Sequence, residues 1–68
     1  METLIGILLF IGAISPNSEY TVSEIELIEQ ENLYQIQQVE GDSDAMASAN
    51  ALYHQHSPTI LIIDEIVL

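Results

Sequence analysis

The sequence predicts a small α+β fold, a single domain over residues 1–68 with a mostly antiparallel sheet, on three observations. Apolar runs stand near both ends of the chain, at residues 4–14 and 59–68. A helix signal occupies residues 44–56. Between them, residues 20–39 mix acidic and apolar side chains in a pattern that fits either a β-hairpin or a helix.

The first run, Leu-Ile-Gly-Ile-Leu-Leu-Phe-Ile-Gly-Ala-Ile over residues 4–14, contains no polar side chain. A membrane-spanning helix needs about 20 apolar residues, and a signal peptide needs a basic region before its apolar stretch. Neither pattern is present, and a membrane-dipping segment is the remaining membrane alternative. Gly6 and Gly12 disfavour a helix, and Ile5, Ile7, Phe10, Ile11 and Ile14 favour a strand, so the run is expected to be a buried apolar strand. Ser15, Pro16, Asn17 and Ser18 then form a turn cluster.

Residues 20–39 allow two structures. Ser23 followed by Glu26 fits a capping box, Ile25/Ile28 and Leu33/Ile36/Val39 stand at helical spacing, and Glu and Gln favour helix. Against this, residues 20–27 are rich in strand formers with partial alternation, Glu31 and Asn32 suit a turn, and residues 33–39 suit a return strand. The balance leans slightly to the hairpin. After Gly41, Asp42 or Ser43 is placed to cap a helix over residues 44–56, with Asp44 favourable against its dipole. Ala45, Ala49 and Leu52 share one side of that helix, flanked by Met46 and Tyr53, and the alanines allow close approach to a sheet. Ser57 and Pro58 stop it, and residues 59–68 read as a second apolar strand. Two such strands near the sheet centre need cover on both faces. One helix supplies one face, leaving the other to residues 19–40, a second subunit or a partner protein.

The charge pattern restricts function more than the fold does. Eleven Asp and Glu stand against no Lys and no Arg, for a formal charge of -11. Phosphate neutralisation by Lys and Arg is therefore missing, which excludes direct nucleic-acid binding and attraction to an anionic membrane. No cysteine is present, so disulfides and thiolate sites are excluded. The chain is nevertheless 49% hydrophobic and only 16% charged, which separates it from disordered acidic tails.

Enzymatic chemistry finds little support. His54 and His56 form a His-x-His pair suited to zinc or copper on a strand, but near a helix C-terminus they splay about 200° apart at 3.6 residues per turn. Their expected role there is to favour the helix dipole. Ser, His and Asp are present without a nucleophile elbow, and Asp64 and Glu65, adjacent on a strand, point to opposite faces. Asp42-x-Asp44 lacks the remaining ligands of a calcium loop. No catalytic residue, metal site or cofactor is expected.

Eight of the acids, Glu19, Glu24, Glu26, Glu29, Glu31, Glu40, Asp42 and Asp44, fall within residues 19–44 and are the candidate partner-binding residues. On a strand, residues two apart lie about 7 Å apart on one face. Glu24/Glu26 and Glu29/Glu31 would then match about two steps of duplex rise, at about 3.4 Å per phosphate. The expected function is a non-enzymatic inhibitor, of the anti-restriction or anti-defence type, that mimics nucleic acid toward a basic, nucleic-acid-binding protein. An ordinary solvated acidic face is the bland alternative. A small assembly subunit associating through its apolar strands is a further one, and an antitoxin or adaptor another. A cytoplasmic homo-oligomer with a basic protein partner is expected.

Overall fold

The computed structural model of the protein describes residues 2–63, and over them helices dominate rather than a sheet. The chain runs through α1 (Glu2–Phe10), β1 (Glu19–Thr21), α2 (Val22–Glu31), α3 (Leu33–Glu40), α4 (Ser43–His56), a 3-10 turn (Ser57–Thr59) and β2 (Leu61–Ile63). The expected mostly antiparallel sheet is thereby corrected to four α-helices and one small parallel strand pair among the described residues.

The N-terminal apolar run is a helix, not a strand, and its two glycines are the reason it can be one here. A Cβ at position 6 would stand 2.5 Å from the carbonyl oxygen of Ala49 and 3.3 Å from Cβ of Tyr53. Gly6 therefore lets the α1 backbone lie against α4 at a distance no larger residue permits. Ile5, Gly6, Ile7 and Leu8 are buried in succession, so most of the helix circumference is covered, as expected of a helix apolar on nearly every side. Gly12 supplies the stop. It adopts φ 78°, its N–H donates to Leu9 O at 3.2 Å, and the Ala13 N–H donates to Leu8 O at 2.9 Å. Those two bonds form the Schellman pattern that satisfies the last carbonyls of a helix. A strand in this place would have needed hydrogen-bonded neighbours, whereas a helix satisfies its own backbone.

Residues 20–39 are helical as well, apart from Tyr20 and Thr21 in β1 and Asn32 between α2 and α3. The box that starts α2 is formed by Thr21 and Glu24, two residues before the expected pair. Thr21 Oγ1 accepts from the Glu24 N–H at 3.1 Å, and Glu24 Oε1 accepts from the Thr21 N–H at 2.9 Å. The expected turn at Glu31 and Asn32 is a break between α2 and α3 instead of a hairpin loop. Asn32 closes α2, its Nδ2 donating to Ile28 O at 2.8 Å. The buried positions Ile25, Ile36 and Val39, with half-buried Ile28, follow the helical spacing seen in the sequence.

The α4 helix occupies Ser43–His56, as expected to within a residue. Asp42 is its cap, with Oδ1 accepting from the N–H groups of Asp44 at 3.0 Å and Ala45 at 3.2 Å. Its small-residue side meets α1 and not a sheet, and Ala49 is wholly buried at that crossing. After the 3-10 turn, β2 pairs with β1 in parallel, Glu19 opposite Leu61, Tyr20 opposite Ile62 and Thr21 opposite Ile63. Three helices lie between the two strands, a crossover of the kind that parallel pairing requires. The C-terminal apolar strand is thus found at Leu61–Ile63, and its expected continuation, with Asp64 and Glu65, lies outside the described residues. The loop before β1 is tied back by the Tyr20 hydroxyl, which accepts from the Ser15 N–H at 3.1 Å. Thr59 Oγ1 accepts from the Asn17 N–H at 3.4 Å.

The core is one cluster drawn from Ile5, Ile7, Leu8, Ile14, Ile25, Ile36, Val39 and Ala49. The body measures 41 × 24 × 15 Å, thin enough that six large apolar side chains among the described residues remain exposed. Replacing Gly6 with Ala should destabilise the fold, because the overpacking cost of about 1–3 kcal/mol exceeds a helix-propensity gain of about 1 kcal/mol. Gly41→Ala is the matched control, since its added Cβ meets only ordinary contacts of 3.6 and 3.7 Å. Thermal melting should show G6A melting lower and G41A unchanged or higher, and equal melting of both would refute the close crossing.

Candidate functional site

The eight candidate acids divide by the work they do in the fold. Glu24 and Asp42 are caps, each with a carboxylate oxygen accepting backbone N–H bonds at the start of α2 and α4. Asp44 stands in the first turn of α4, where a negative charge suits the dipole. Glu31 and Glu40 are the last residues of α2 and α3, where it does not, and neither helix has a basic residue in its last turn. Glu19 lies on β1, and Glu26 and Glu29 on α2. Seven of the eight are exposed and Glu29 is half-buried.

The helix changes which carboxylates share a face. Residues two apart on α2 are turned about 200° from one another with a rise of about 3 Å, so Glu24/Glu26 and Glu29/Glu31 are not the same-face pairs that a strand would make. On a helix the spacing match to duplex rise does not hold. Glu24 and Glu31 share one stripe, about 10.5 Å apart along the axis. Glu26 and Glu29 are neighbours one turn apart on the other flank. Glu40, Asp42 and Asp44 gather at the corner between α3 and α4. Glu19 belongs to the sheet and joins neither group by element.

Helical spacing also places apolar side chains among the acids, which the strand reading obscured. Leu27 is 58% exposed, Leu33 49% and Tyr34 72%. Leu27 falls between Glu24 and Glu31 on their stripe, three residues from one and four from the other. The Tyr34 hydroxyl accepts from Gln38 Nε2 at 2.8 Å, one turn on along α3. A helical reading of residues 20–39 would have found this mixed surface, because Ile25/Ile28 and Ile36/Val39 define the inward side and leave Leu27 and Tyr34 opposite.

His54 and His56 end α4, the first exposed and the second half-buried. The His54 ring packs edge-on to Tyr53, with centroids 5.6 Å apart. Among the described residues no group of three or more His, Cys, Asp or Glu side chains could hold a metal ion. No helix among them is long and apolar enough to cross a membrane.

Comparison with known proteins finds no matching family model, no matching curated protein and no matching solved structure. The surface chemistry is therefore the basis for the functional reading.

The division of the acids between caps and free charges can be measured. Asp42→Ala should cost about 0.5–2 kcal/mol of stability by removing a cap. Glu31→Gln and Glu40→Gln should each stabilise by about 0.3–1 kcal/mol, since a carboxylate at a helix C-terminus opposes the dipole. Urea denaturation of the three variants tests this. Destabilisation by all three to a similar extent would contradict the assignment.

Proposed function

We propose that the protein is a non-enzymatic acidic inhibitor that binds a basic, nucleic-acid-binding protein, its carboxylates occupying the place of phosphates. The observation that carries the proposal is the complete absence of Lys and Arg beside eleven acids. Solubility alone does not require the removal of every cation. A surface of one sign does favour long-range attraction to a basic partner and rejection of every acidic one. Glu19, Glu26, Glu31, Glu40 and Asp44 are exposed, and none has a Lys or Arg of its own chain to pair with. Mimicry in this form rests on charge density and not on a regular spacing. The proposed compartment is the cytoplasm, where such partners act.

The assembly-subunit alternative keeps one supporting observation. Leu61 and Ile63 are exposed on β2, a strand paired on one side only among the described residues. The other oily segment is used internally, as α1, and no longer favours assembly.

The inhibitor reading is tested by immobilising the chain and challenging it with host lysate at low and moderate salt, with and without competing duplex DNA. Captured proteins should be basic nucleic-acid binders, released by DNA and by raising salt from about 50 to about 200 mM, as for phosphate contacts. Capture indifferent to both DNA and salt, or a chain that elutes only as a large oligomer, would count against it and favour assembly.

A further inference from the structure

The loop between α1 and β1 places one asparagine where it can react with its own main chain. Asn17 is exposed and holds φ 61°, and Ser18 follows it with a side chain too small to obstruct an approach. Among the described residues the Asn17 side-chain amide has no hydrogen-bond partner, and neither the Asn17 carbonyl nor the Ser18 N–H has one. No hydrogen bond therefore restrains the peptide unit joining the two residues from turning. The loop is instead tied on either side of that unit. The Asn17 N–H donates to Thr59 Oγ1 at 3.4 Å, and the Ser18 carbonyl accepts from the Leu61 N–H at 3.1 Å.

The other two asparagines are held. Asn32 is half-buried, its Nδ2 donates to Ile28 O at 2.8 Å, and the larger Leu33 follows it. Asn50 lies inside α4, where helical bonding holds the N–H of Ala51.

We propose that Asn17 is a site of spontaneous deamidation. The Ser18 main-chain nitrogen gives its proton to solvent base and attacks Asn17 Cγ. A new C–N bond closes a succinimide ring, the bond from Cγ to Nδ2 breaks, and the amide departs as ammonia. Water then opens the ring at either carbonyl. Opening at Cγ leaves aspartate on an unchanged main chain, and aspartate tolerates positive φ as asparagine does. Opening at the main-chain carbonyl leaves isoaspartate, whose main chain runs through Cβ and Cγ and is longer by one methylene. That methylene enters between the ties to Thr59 and Leu61, so the isoaspartyl form should lose the bond from Leu61 to Ser18. Either product adds a carboxylate to a chain with no Lys or Arg to offset it.

The test ages the full folded chain in mildly alkaline buffer and then cleaves it with a Glu-specific protease under mildly acidic conditions. Cleavage after Glu puts the three asparagines on separate peptides, residues 3–19, 32–40 and 41–65. Mass spectrometry reads replacement of NH2 by OH on each, and fragmentation separates aspartate from isoaspartate. Asn17 should convert about tenfold faster than Asn50, a barrier difference of about 1.4 kcal/mol. In urea, where α4 no longer holds the Ala51 N–H, that lead should shrink. The variant N17G, which keeps the loop because glycine accepts positive φ, should show no mass change on its 3–19 peptide. Hydrogen exchange on the aged chain should find the Leu61 amide less protected in the isoaspartyl form than in the aspartyl form.

Equal conversion of Asn17 and Asn50 in the folded chain, or no conversion at Asn17, would overturn the proposal. A lead of Asn17 that persists undiminished in urea would overturn it as well, by assigning the reactivity to sequence alone. Equal protection of Leu61 in the two products would refute the link to β2.

Discussion

The approach of α1 to α4 at Gly6 is the constraint on which the remaining structure depends. Only a residue without Cβ fits beneath the carbonyl of Ala49, and only a small residue at position 49 lets the two backbones come that close. With α1 seated there, Ile5, Ile7 and Leu8 are buried and serve as the floor against which Ile25, Ile36 and Val39 pack. The short β1–β2 pair follows from that core and does not organise it. Two strands of three residues are too few for independent stability.

The charge pattern leaves this apolar core without help from Lys or Arg ion pairs. A Lys or Arg near a helix C-terminus offsets the dipole, but α2 and α3 end on Glu31 and Glu40. Among the described residues, carboxylates accept backbone hydrogen bonds where a helix begins, at Glu24 and Asp42. The others repel one another without internal compensation, a cost that a basic partner would remove on binding. Exposed Leu27 and Tyr34 amid those acids point the same way, since apolar residues beside unbalanced charge are poor for solubility and useful for recognition.

The sequence was most legible where several local signals agreed. Asp42 as cap, the alanines at 45 and 49, and the Ser57–Pro58 stop all point to one helix, and α4 is there. Residues 4–14 misled because glycine has two meanings. In an apolar run it argues against helix by propensity, yet Gly6 is required by a tertiary contact and Gly12 by a helix stop, and neither need is visible in local sequence. Residues 20–39 were balanced between two periods. The Thr21–Glu24 box was present in the sequence but hidden by the equally plausible Ser23–Glu26 pair and by the strand formers Tyr20, Thr21 and Val22. Every candidate acid was visible as an acid. Which of them share a face was not, because that depends on helix against strand, and the same error concealed Leu27 and Tyr34.

The most direct test of this account is a nuclear Overhauser measurement on the full chain, asking which protons lie near the Hα pair of Gly6. The account predicts strong cross-peaks to Ala49 and Tyr53, with helical carbon shifts through α1. Extended shifts over residues 4–14, with cross-strand contacts from Gly6 to residues of β2 in place of α4, would contradict it.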